Sequence, residues 1–124
     1  MKWDHVKHFK RAEFLCKCCQ TEAMDDAFVE LLDHLRDILA FPMVITSGYR
    51  CPAHNEAVST TGRVGPHTTG KAADIAVRGA QAHFLLQIAL ELGFKGIGIQ
   101  QKGPSRFIHL DTVTDGSRPT VWSY

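Results

Sequence analysis

The chain has 124 residues, 44% hydrophobic and 22% charged, with a formal net charge of +1. That is one domain's worth of sequence, spanning 1–124, long enough to bury a core without disulfides or metals to hold it. The near-neutral balance and scattered Lys and Arg speak against nucleic acid as a partner, and no apolar run approaches the ~20 residues that span a bilayer, so no membrane partner is expected.

The N-terminal stretch "MKWDHVKHFKRAEF" lacks the apolar centre of a secretory signal, so the sequence predicts a protein that is cytoplasmic as synthesised. "CKCCQ" follows, with Cys16, Cys18 and Cys19, and Cys51 stands apart in "YRCP". This spacing is not the paired C-x2-C of a zinc ribbon, and reduced, half-buried thiols are the favoured reading over a four-cysteine zinc cluster or a disulfide.

From Asp25 to Ala40, apolar residues fall at Phe28, Leu31, Leu32, Leu35, Ile38 and Leu39, the rhythm of an amphipathic helix. Acidic residues suit its first turn and Pro42 marks its end. "MVITSGYR" reads as a strand running into a turn, and Pro52 to about Ser59 as a short helix with proline at its first position. "TTGRVGPHTTG" is a glycine-rich loop and "AADIAV" a strand with Asp74 opposite Ile75. A third helix, from about Ala80 to Leu92, places Phe84, Leu85, Ile88, Ala89 and Leu92 on one side and ends at Gly93. "GIGIQ" and "FIHLDT" form strands joined by a hairpin-like "QKGPSR", and "RPTVWSY" closes as an edge strand. The whole predicts an α+β fold: a small antiparallel sheet packed with about three helices.

Seven histidines are present. His5 and His8 fall in a polar segment, and His34 and His83 on predicted helix surfaces; His54 sits in the short second helix. His109 is different, because alternation in "FIHLD" puts it on one strand face with Phe107 and Asp111, opposite Ile108 and Leu110. That segment alone allows two readings, a cleft-facing pair or a histidine satisfied by its neighbouring aspartate. Considered with "HTTGKAAD", it gains weight. His67, Asp74 and His109 form a donor set that zinc accepts with one position left open, and small residues at Gly70, Ala72 and Ala73 would let the backbone curl around an ion. Zinc brings the pKa of bound water to about 7.

"ITSGYRCPAHN", then H-x2-G-x-A-x-D as "HTTGKAAD", then "GIGI" and "FIHLD" occur in this order over nearly the whole chain. In these motifs the sequence resembles the zinc D-Ala-D-Ala carboxypeptidase-like peptidases, a group that includes D-Ala-D-Ala dipeptidases and L-alanyl-D-glutamate endolysins and shares its fold with the Hedgehog signalling domain. The resemblance implies that His67, Asp74 and His109 bind Zn2+ and that Arg50 stabilises a developing oxyanion. It further implies a hydrolase of peptidoglycan stem peptides in the bacterial cell wall, carboxypeptidase or endopeptidase, of phage or prophage type and released to the wall by another route.

Two positions depart from the family pattern. Gly65 stands where many members carry serine, and Arg106 stands where many carry an acid or histidine as general base. Arg106 cannot accept a proton at neutral pH. Asp111 is then the candidate base, with an equal alternative as a carboxylate that orients His109; His54 is a distant third. These departures also leave open a non-catalytic, zinc-containing binding module on the same scaffold.

Overall fold

The computed structural model describes residues 3–124. Met1 and Lys2, at the head of the polar N-terminal segment, lie outside the described residues. Single-turn 3-10 helices at Trp3–His5 and Arg11–Phe14 lead into α1 (Asp26–Ile38), β1 (Val44–Ser47) and α2 (Pro52–Val58). A further 3-10 turn at Pro66–Thr69 precedes β2 (Ala72–Ala76), α3 (Gly79–Leu92), β3 (Gly96–Gln100), β4 (Phe107–Asp111) and β5 (Thr120–Ser123).

The helix α1 begins where Asp25 accepts a hydrogen bond from the Phe28 N–H at 3.0 Å, a cap worth about 1 kcal/mol. Its inner face buries Phe28, Val29, Leu32 and Leu35. Asp33 on the same helix is buried and not apolar; its two carboxylate oxygens accept the Lys7 and His8 backbone N–H groups, both at 2.9 Å. The N-terminal segment is thereby tied to α1. Helix α3 buries Ala82, Leu85, Ile88 and Ala89 and stops at Gly93, whose φ of 87° favours glycine. Phe84, expected on the apolar side, is 37% exposed, because the buried stripe runs through 82, 85, 88 and 89.

The five strands form one sheet in the order β1-β2-β4-β3-β5. The α+β class is as read from the sequence. Neighbours pair antiparallel except β3 and β5, which are parallel. The reason lies in the path of the chain. Strand β4 ends at Asp111 opposite Gly96, the first residue of β3, and the connection 112–119 passes round that end to start β5 at Thr120, also opposite Gly96. A strand begun there must run with β3.

One face of the sheet packs Ile75, Ile97, Ile108 and Leu110 against Phe28, Leu32 and Leu35 of α1 and Leu85 of α3, with Phe14 joining from the N-terminal turn. Each such fully buried side chain contributes about 1.5–3 kcal/mol. The opposite face carries Asp74 and His109. Among the described residues, no helix is long and apolar enough to cross a membrane.

Candidate metal centre

Register places one row of residues across the whole sheet. Ser47 pairs with Asp74, Asp74 with His109, His109 with Gly98 and Gly98 with Trp122. Directly paired residues share a face, so the row stands on the side away from the core. His67 reaches it from the Pro66–Thr69 turn. Gly70 ends that turn with φ 75°, and a Cβ there would collide with the Ala23 carbonyl oxygen. Its own carbonyl accepts the Asp25 N–H at 2.9 Å. The smallness of Gly70 and Ala73 serves the turn and the core, in which Ala73 is fully buried, while Ala72 pairs with Asp111 on the face of the site.

Asp74 Oδ1 lies 3.3 Å from His67 Nε2 and 3.1 Å from His109 Nδ1. The other nitrogen of each ring is committed. His67 Nδ1 is 2.8 Å from the Gly48 carbonyl oxygen, an acceptor only, so this nitrogen carries the hydrogen and Nε2 is left with its lone pair. His109 Nε2 is 2.7 Å from Asp111 Oδ2, which leaves Nδ1 turned to Asp74. All three residues are buried, and one donor atom from each falls within 4.8 Å of the others. Once deprotonated, the two imidazole nitrogens, each ring oriented from behind, fit with the carboxylate oxygen a catalytic zinc site with an open position.

The electrostatics agree. Burial alone would raise the Asp74 carboxyl, but the His109 and His67 rings against it, at 3.1 and 3.3 Å, hold it well below the usual carboxylate range. Burial disfavours the charged form of His109, and hydrogen bonds to Asp111 and Asp74 outweigh it, so this imidazole is raised above its ordinary value. The site attracts positive charge.

Arg50 is fixed on three sides. Its Nε donates to Ser47 Oγ at 3.2 Å, Nη1 to Asn55 Oδ1 at 3.3 Å, and Nη2 lies 3.6 Å from Asp74 Oδ2. Asn55 is itself buried and donates to Thr61 Oγ1 and the Gly62 carbonyl, holding the loop that walls one side. Asp111 sits behind His109, fully buried, with Arg118 donating to both its oxygens at 2.8 and 3.1 Å. Burial would raise its carboxyl, and the His109 and Arg118 hydrogen bonds bring it below the ordinary range.

His67, Asp74, His109 and Arg50 open into a cavity of about 860 Å3, which Asp115, Arg118, Trp122 and Tyr124 also line. Neither Asp111 nor His54 nor Arg106 is part of that lining. Arg106 turns its Nε to the Gly103 carbonyl at 2.9 Å. His5, His34 and His83 are exposed, and exposed His8 pairs with Asp37 at 2.6 Å.

The sequence reading missed the aromatic wall. The Trp122 ring lies 5.0 Å from that of His109, with the Arg118 guanidinium 5.2 Å from it. Gly98 makes this approach possible, since a Cβ there would come 2.6 Å from the indole Nε1. The signal was the i, i+2 spacing of Trp122 in the last strand and Tyr124 just beyond it.

Over residues 7–111 the sequence matches the family described as Peptidase M15. The chain belongs to that family. With the His-Asp-His cluster in place, it is a zinc metallopeptidase of the M15 type. Among curated proteins, none matches the sequence. The Gly65 departure of this M15 peptidase has a packing cause: a side chain at that position would run into Thr61 Oγ1, which Asn55 holds in place.

Proposed function

We propose that this M15 peptidase hydrolyses peptide bonds in the stem peptides of bacterial peptidoglycan, with His67, Asp74 and His109 as the zinc ligands. The observation that carries the reading is the convergence of His67 Nε2, Asp74 Oδ1 and His109 Nδ1 beside Arg50 at one end of an open cavity. When bound, zinc supplies a Lewis acid that polarises a carbonyl and activates water.

The residues of the chain do the rest. Arg50 is held by Ser47, Asn55 and Asp74, so its guanidinium meets the negative charge developing on the carbonyl oxygen without having to reorganise. Asp111 keeps His109 in the tautomer that leaves Nδ1 free; being buried behind the ring and outside the cavity, it is a positioning residue. Besides Asp74, Asp115 is the carboxylate lining the cavity, and its Oδ1 accepts the Ser117 N–H at 2.9 Å. Trp122 and Tyr124 offer an apolar wall against which a stem peptide lies.

The test is digestion of purified peptidoglycan, with release of amino groups followed over time and fragments identified by mass spectrometry. Release abolished by a chelator and restored by zinc is expected, and the new termini name the bond cut. Intact wall after prolonged digestion with zinc-loaded protein, alongside cleavage of an unrelated peptide, would overturn the substrate assignment.

A further inference from the structure

Among the described residues, two groups of potential metal ligands converge, and only one of them is the His-Asp-His site. The other is Cys16, Cys18, Cys19 and Cys51, whose sulfurs all lie within 4.8 Å of one another. Cys18 Sγ stands 3.7 Å from Cys16 Sγ and 3.3 Å from Cys51 Sγ. Four thiolates around zinc at about 2.3 Å would be separated by about 3.8 Å along each tetrahedral edge. The spread of the sulfurs suits one ion.

The backbone is shaped to make the cluster. The Cys16 N–H donates to the Thr21 carbonyl at 2.7 Å and the Gln20 N–H to the Cys16 carbonyl at 2.8 Å, closing a tight turn that gathers three sulfurs. Gln20 completes the turn at φ 59°, a left-handed conformation costly for a residue with a side chain. Such strain persists where the surroundings over-determine it. Backbone N–H groups point at sulfur: Cys51 N–H donates to Cys16 Sγ at 3.3 Å and His54 N–H to Cys51 Sγ at 3.4 Å. Donors aimed at sulfur stabilise thiolate, the form that binds metal.

We propose that Cys16, Cys18, Cys19 and Cys51 form a second, structural metal site that takes a thiophilic divalent cation, zinc, as a tetrathiolate. Each cysteine gives up its proton to solvent on binding, and with four protein ligands the site keeps no open position for substrate. The sequence spacing alone disfavours this site, because C-x-C-C is no zinc ribbon; the fourth ligand arrives only through folding. Its consequence is mechanical. Cys51 follows Arg50 directly, and the Tyr49 N–H donates to the Phe14 carbonyl at 3.0 Å, so the ion would staple the segment 14–19 to the loop that aims the catalytic guanidinium.

The site is testable without activity, so its failure stands apart from failure of the peptidase reading. Cobalt(II) is added to reduced, metal-free His67→Ala protein and to wild type under exclusion of oxygen. An intense sulfur-to-cobalt charge-transfer band is expected in both proteins, saturating at one equivalent in His67→Ala and by two in wild type, where the His-Asp-His site also takes cobalt. The four thiols should also resist alkylation until a chelator is added. In Cys18→Ser and Cys51→Ser proteins the band should shrink or vanish, with zinc content falling by one equivalent. Absence of the band in His67→Ala and wild type alike would overturn the proposal. So would purification under air of a metal-poor protein two hydrogens lighter than its sequence mass, which would mean a disulfide between two of these cysteines.

Discussion

Asp111 stands directly behind His109, its Oδ2 2.7 Å from the imidazole Nε2, while Arg118 donates to the same oxygen at 2.8 Å. Under the proposed function, a carboxylate so engaged orients His109 and has no lone pair to spare for substrate. Asp111→Asn should lower zinc affinity about 10–100-fold, read by competition with a chromogenic chelator. Activity should return at saturating zinc. A loss of kcat that zinc does not repair would instead make Asp111 the base.

In the proposed mechanism Arg50 supplies a fixed positive charge and is not itself a zinc ligand. Arg50→Lys keeps the charge but loses the planar fork that Ser47, Asn55 and Asp74 hold. The expected result is a fall in kcat of about 10²–10³ with zinc content unchanged, measured by metal analysis beside steady-state kinetics.

The direction of the His109 shift fixes a pH dependence. In the zinc-free protein its raised pKa means that imidazolium persists above the ordinary histidine range. Its contribution to folding is fully present below the unfolded value and is lost as pH rises through the folded one. Zinc binding must displace that proton. Affinity should therefore begin to fall at a higher pH than free imidazole would dictate, with proton uptake visible when zinc is stripped in weak buffer. In Asp111→Asn, which loses the first-named hydrogen bond raising His109, the fall should begin at lower pH.

Gly65 is where the loop crowds Thr61 and Asn55. Gly65→Ser should destabilise the protein by about 1–3 kcal/mol through overpacking. Thermal unfolding of the zinc-loaded protein measures it. An unchanged or higher Tm would show that Thr61 yields without cost.

Gly98 lets Trp122 lie across the sheet toward His109. Gly98→Ala should push the indole out of place, seen as a change in tryptophan fluorescence, and raise KM more than it lowers kcat. Trp122→Ala should reproduce the KM effect. Equal KM values for both variants and wild type would remove the aromatic wall from substrate binding.

Much of this was legible in the sequence because it is local. Periodicity located α1 and α3, alternation set His109 and Asp111 on one face, and the spacing of "HTTGKAAD" with "FIHLD" singled out His67, Asp74 and His109. Those signals survive without a partner element, since a helix stripe or strand face is decided by residues a few positions apart. The third dimension decided the rest. Arg118, carried back by the 112–119 connection, closes on Asp111 only in the folded chain. Strand β5 turned parallel because that connection rounds the end of β3. Cys51 met Cys18 across 33 positions only after folding brought their segments together. Contacts between distant segments depend on how elements pack, and no spacing along the chain encodes that by itself.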